Sequence, residues 1–189
     1  MFHRVILVAT LVIALTGLSG PTASASSSGE KFVFLAGVAP LCGLATTACP
    51  DIARAANGDT IQIAGSGILT TSPKTASGSG TFVHKSGTTT VASGTWKVTD
   101  LLSFQDFGPS PTDLTLPRAF HSGTALFAVH LTVTGGPFAG GQADGVLRVT
   151  CELPGALVPG NRDEGVRLVV DDIINFNDEV SGFTVFIKS

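Results

Sequence analysis

Gly65-Ser66-Gly67-Ile68-Leu69, Gly78-Ser79-Gly80-Thr81-Phe82 and Ala92-Ser93-Gly94-Thr95-Trp96 are three versions of one short pattern, a small Ser-Gly pair followed by a large apolar residue. Their second glycines, Gly67, Gly80 and Gly94, stand 13 and then 14 residues apart. That interval accommodates a strand, a turn and the return, which is a hairpin period. The stretch therefore reads as three successive antiparallel strands whose glycines let a closing sheet bend sharply or bulge. The large apolar residue after each pair, and the alternation beyond it, separate the pattern from flexible Gly/Ser linker.

Working outward, alternation gives most segments a dry and a wet face. Trp96, Val98, Leu102 and Phe104 share one parity, opposed by Lys97, Thr99 and Ser103. Phe127, Val129, Leu131 and Val133 form another dry face, as do Leu147, Val149, Cys151 and Leu153. Val166, Leu168 and Val170, then Ile174 and Phe176, and last Phe183, Val185 and Ile187 continue it, while Phe32 to Ala36 supplies a first strand. Turn chemistry punctuates the series at Gly108-Pro109, Gly135-Gly136-Pro137, Pro154-Gly155, Pro159-Gly160-Asn161 and Ser181-Gly182. One segment reads differently. Pro50 to Asn57 carries Pro50 and Asp51 at a first turn, three alanines, and Asn57-Gly58 as a terminator, which predicts one short N-terminal helix.

These elements predict an all-β chain, an antiparallel up-and-down barrel of about eight to ten strands. A two-sheet β-sandwich is the alternative that the same pattern satisfies. Short hairpins favour nearest-neighbour pairing, and closure removes the edges that a long strand such as Val91 to Phe104 would expose.

Residues 1–25 have the organisation of a secretory signal peptide: basic His3 and Arg4, the apolar run Val5 to Leu18, and the small-residue site Ala23-Ser24-Ala25. Residues 26–189 are then a single secreted β domain, with no segment apolar and long enough for a membrane-spanning helix. Eleven Lys and Arg face 14 Asp and Glu, a formal charge of −3, and this lacks the basic excess of a nucleic-acid binder. Charged residues are 13% of the chain and glycines number 23, a composition of strands and tight turns.

Cys42, Cys49 and Cys151 all lie in the exported part, where oxidation is permitted. A local Cys42–Cys49 bridge, or one from either to Cys151, satisfies the sequence equally. The spacing matches no zinc motif, and neither a metal nor another cofactor is expected.

GDTIQI (Gly58 to Ile63), GSGTFVH (Gly78 to His84), GTWKVTDLLSFQDFG (Gly94 to Gly108) and INFNDEVSG (Ile174 to Gly182) together resemble a group of exported bacterial β-proteins of unassigned activity. At the level of architecture the glycine-punctuated strands are similar to dirigent and allene oxide cyclase barrels. That likeness implies an eight-stranded cup around a small molecule, and it concerns the fold only. The chain contains no Tyr, so the inward Tyr set that such sites would suggest is missing.

No G-x-S-x-G, H-E-x-x-H, P-loop or G-x-G-x-x-G occurs. Parity places Asp100 among Trp96, Val98, Leu102 and Phe104, where burial would raise its pKa and suit it to acid–base work; a bulge at Thr99-Asp100 would instead return it to solvent. His84 shares a face with Phe82 and is the candidate partner of Asp100. His130 and Arg148 fall on wet faces. Asp171, Asp172, Asn175 and Asn177-Asp178-Glu179 offer oxygen ligands without the spacing of an EF-hand, and hairpin chemistry explains them as well. The proline-rich segment from Phe107 to Phe120 is long enough to line or gate a ligand site at a barrel mouth. Three functions remain: a binder of a small apolar ligand or an extracellular partner, a cyclase- or isomerase-like enzyme using Asp100 and His84, and a structural extracellular module. A cavity on the order of 300 Å³ or more is needed by the first two.

Overall fold

The structure, a computed structural model, describes residues 29–156 and 163–189. The signal peptide expected at residues 1–25 and the turn expected at Pro159-Gly160-Asn161 lie outside the described residues. Ten strands follow in order: β1 (Lys31–Ala36), β2 (Asp51–Ala55), β3 (Thr60–Thr71), β4 (Lys74–Ser86), β5 (Thr89–Gly108), β6 (Phe120–Gly135), β7 (Gln142–Cys151), β8 (Gly165–Val170), β9 (Ile174–Ser181) and β10 (Thr184–Lys188). A single 3-10 turn, Leu41–Gly43, is the only helical element among the described residues.

All pairings are antiparallel, and the sheet closes on itself. From β2 each strand bonds the next in the chain as far as β9, which returns to β2. The long strands β3 and β6 outrun this circuit. Past it, β1 lies along Gly65–Thr70 of β3, β10 lies along β1, and β10 reaches Phe120 and His121 of β6, closing the other end. The nearest-neighbour closure expected of an up-and-down barrel is thus present, and a sandwich of two separate sheets does not describe it. Closure satisfies the edge hydrogen bonds that strands this long would otherwise leave open.

The glycine repeat explains how the interior fills. Gly65 pairs with Gly80 and Gly67 with Gly78 across β3 and β4. A Cβ at Gly65 or Gly80 would collide with the Trp96 indole, and one at Gly67 or Gly78 with the Phe34 ring. The glycines therefore form a bare floor on which two large rings lie. Phe34 in turn stacks on Phe127 at 4.6 Å, and Trp96, Phe34 and Phe127 are buried.

Three expectations are corrected. Pro50 to Asn57 is not a helix: Asp51–Ala55 is a strand with alternating burial, bonded on one side to β3 and on the other to β9. Alanine's helical preference is overridden because a helix would leave both neighbours unpaired. Asn57-Gly58 is the β2–β3 hairpin turn, with Gly58 at φ +89° and its N–H donating to Ala55 O at 2.9 Å. In β5 the register slips between Val98 and Asp100 and again between Leu101 and Ser103. Leu101 is consequently buried and Leu102 exposed, so Leu102 does not share the face of Trp96. In β10 the buried set is Thr184, Val185 and Phe186, because this strand is covered on both sides, with Phe186 against Phe104 at 5.0 Å.

Candidate functional site

The turns β2–β3, β4–β5, β6–β7 and β8–β9 gather at one end of the ring, where the interior is not filled. A cavity of about 320 Å³ occupies it. Its wall takes Ile61 from β3, Phe82 and His84 from β4, Ala92 from β5, Leu131 and Val133 from β6, Ala143 from β7 and Phe176 from β9. Leu131, Val133 and Phe176 among them are residues that alternation aimed inward. At the rim stand Phe138 of the β6–β7 turn, 63% exposed, and Ile173 of the β8–β9 turn, 70% exposed. Two large apolar side chains standing in water beside an apolar hollow form its lip. A wider depression of about 820 Å³ lies beside it between Ala55–Asn57 and Val169–Asn175, with acidic and amide edges.

One polar group is built into the apolar wall. His84 Nε2 is 3.0 Å from Asp59 Oδ2, and the His84 ring meets Phe176 edge-on at 5.2 Å. The pair follows from the register: Ile61 faces His84 across the β3–β4 ladder, and Asp59 lies two residues before Ile61 on the same face. Asn57 Oδ1 accepts from the Asp59 backbone N–H at 3.0 Å. The Ser86 hydroxyl first, and then His84, hold the Asp59 carboxyl below the usual carboxylate range. An ionised Asp59 accepts the Nε2 proton and so fixes the tautomer and orientation of the imidazole. Nδ1 remains without a partner among the described residues.

Two further His–Asp pairs have other settings. His121 Nδ1 lies 2.8 Å from Asp106 Oδ1, edge-on to Phe32, at the opposite end of the ring. His130 bonds Asp144 at 2.7 Å, cross-strand neighbours on the wet side of β6 and β7, so His130 is paired with Asp144 and not with Arg148. Among these three pairs, only His84–Asp59 contributes a residue, His84, to the cavity wall.

The structure does not bring Asp100 and His84 together. Asp100 is exposed, and its Oδ1 accepts from Leu101 N at 2.8 Å, the geometry of a side chain turned out at a bulge. Its strand position is eight residues beyond Ala92, the register partner of His84, roughly 25 Å along β5. Phe107 and Phe120 bound a connection at the end of β5 remote from the cavity, and neither lines it. That connection is held by its own bonds instead, among them Ser110 Oγ to Pro154 O at 2.6 Å and Arg118 to Ser110 O at 3.1 Å. Cys42 and Cys49 form the disulfide, and Cys151 is a buried free thiol whose pKa burial pushes up, with Glu164 adding to it, so it is inert. Among the described residues no group of three His, Cys, Asp or Glu is placed to hold a metal ion. Asp178 faces Arg54 at 3.6 Å and Glu179 bonds Arg167 at 3.0 Å.

Asp51 escaped the sequence reading. It is fully buried, neither carboxylate oxygen has a hydrogen-bond partner among the described residues, and Gly182 packs directly against it. Burial, then the charges of Glu164 and Glu179, push its pKa up to about 9. Glu164, which accepts from Thr184 N at 3.1 Å, and Glu179 are both pushed by burial to about 7. Reading Asp51 as a helix N-terminal residue hid it, since only a strand parity turns it inward.

No helix among the described residues is long and apolar enough to cross a membrane. No protein-family model, no curated protein and no solved structure matches this chain.

Proposed function

We propose that this is an exported protein that binds a small apolar molecule in the cavity at the β2–β3, β4–β5, β6–β7 and β8–β9 end of its ring. The observation that carries the reading is the cavity: about 320 Å³, walled almost wholly by apolar side chains, opening between the exposed Phe138 and Ile173. Pockets for small molecules combine this size and apolar lining with a few placed polar groups, which His84 supplies here. A purely structural module would gain stability by filling the space, since each unfilled void forfeits packing. Export is inferred from residues 1–25 and agrees with the Cys42–Cys49 disulfide.

The test is titration with a small uncharged fluorescent dye, naphthalene, whose ten carbon atoms match the cavity of about 320 Å³. Saturable one-to-one binding is expected, reduced at least tenfold by Ala143→Phe, which fills the wall, and weakened by Ile173→Asp at the exposed lip. Dye that fails to bind, or binding indifferent to both substitutions, would overturn the reading. Export has its own measurement: the N-terminus of the secreted protein, expected within a few residues of Ser26 because Ala23 and Ala25 stand where signal peptidase requires small side chains.

A further inference from the structure

The His84–Asp59 pair says what kind of molecule the cavity takes, an inference that rests on the binding function proposed above. A histidine inside an apolar wall is costly unless both ring nitrogens are satisfied. Here Nε2 is satisfied by Asp59 and Nδ1 is left over. In the neutral imidazole, a hydrogen bond from Nε2–H to the carboxylate leaves Nδ1 with a lone pair, an acceptor at the edge of an otherwise apolar space.

Charge narrows the class further. None of the residues lining the cavity is Lys or Arg. Asp59, ionised under the hydrogen bonds of Ser86 and His84, puts negative charge directly behind the imidazole. A carboxylate or phosphate entering head-first would meet an acceptor backed by an anion, with no cation to offset its desolvation. A hydrocarbon without a head group would leave Nδ1 unpaired and dry. The size sets the body: about 320 Å³ holds roughly ten heavy atoms at the ~30 Å³ a water molecule occupies.

We infer that the ligand is a neutral amphiphile, an apolar body of roughly ten heavy atoms carrying one hydroxyl that donates its proton to His84 Nδ1. Asp59 is a positioning residue: it touches no ligand atom and acts by holding the imidazole with its acceptor nitrogen toward the cavity. Phe176, edge-on to the same ring at 5.2 Å, limits its rotation from the other side.

Isothermal titration calorimetry on the secreted protein with three probes of one chain length decides the matter. 1-Octanol can donate, octyl methyl ether can only accept, and octanoate is anionic. The expected order is octanol first, with the ether and octanoate each at least tenfold weaker, the ratio appropriate to one hydrogen bond made in a dry site. His84→Phe should abolish the difference in affinity between octanol and the ether. Asp59→Asn should lower the octanol-to-ether ratio several-fold without weakening the ether, which a merely structural role would not do. Asp59→Asn, at a residue outside the cavity lining, should retain the dye binding of the unaltered protein, showing that the cavity survives. Equal affinity for octanol and ether, or tighter binding of octanoate, would overturn the hydroxyl inference while leaving the apolar cavity intact. Failure of all three probes to bind, together with failure of the dye, would remove the binding function and this inference with it.

Discussion

At the scale of single residues, Trp96 carries the interior and Asp100 does not. The indole covers Gly65 and Gly80, is 2% exposed, and has its Nε1–H buried without an acceptor among the described residues. The unmet donor costs on the order of 1 to 3 kcal/mol, which the apolar contact of the rings on the glycine floor must outweigh. Trp96→Ala would leave a void that backbone packed against backbone cannot collapse. A loss of about 3 to 5 kcal/mol is expected in denaturant unfolding. Asp100→Asn, on the outward side of its bulge, should change stability by less than about 0.5 kcal/mol and leave dye binding unaltered. A Trp96→Ala loss below about 1 kcal/mol would contradict the packing described, and an effect of Asp100→Asn on binding would contradict its placement outside.

The elements divide the molecule into a filled end and a hollow one. At the end where β1 and β10 join β3 and β6, Phe32, Phe104 and Phe186 form a continuous aromatic cluster with centroids 4.8 and 5.0 Å apart. At the other end the neighbours are β2, β7, β8 and β9, and the only buried apolar side chains of β2 are those of Ala53 and Ala55, beside the buried Asp51. The short β2 strand completes the hydrogen-bonded circuit between β3 and β9. The alanines that suggest a helix in isolation are the alternate inward side chains of that strand. The hairpin turns at the hollow end, which carry Phe138 and Ile173, place apolar side chains in water where a turn ordinarily places polar ones.

For the molecule as a whole, the buried carboxyls make stability depend on pH in an unusual direction. Asp51, Glu164 and Glu179 lie together near the junction of β2, β8, β9 and β10, with Arg167 bonded to Glu179. All three have folded-state pKa values raised above those of the unfolded chain, so the folded protein holds protons that the unfolded chain has released. Unfolding then releases protons, and stability falls as pH rises. The contribution is fully present below about pH 4 and is lost progressively as pH climbs, through about 7 for Glu164 and Glu179 and through about 9 for Asp51. The midpoint of thermal unfolding should therefore decline from pH 5 to pH 9. Asp51→Asn, neutral at every pH, should flatten the part of the decline above pH 7. A midpoint that rises over this range, or a variant whose decline is unchanged, would show that Asp51 is not buried as a neutral acid.

Legible along the chain without its fold are the β class, the rough limits of most strands though not of β2, the hairpin period and the inward faces of β6, β7 and β8. Each of these is a local matter, since alternation and turn chemistry act over a few neighbouring residues. The register of the central hairpin came from the structure, which pairs Gly65 with Gly80 and so sets Ile61 opposite His84, with Asp59 on the same face. What only the tertiary structure decided depends on strands distant in the chain. Whether Asp51–Ala55 is helix or strand turns on the open edges of β3 and β9, which propensity does not see. The outward turn of Asp100 arises because β5 slips against β6 at Val98, a mismatch of two strands and not a property of either. The choice among three cysteines fell to the approach of Cys42 and Cys49 across the segment before β2. The cavity, too, is a property of closure: it exists because small side chains on one strand face large ones on another across the ring, and no segment contains that fact alone.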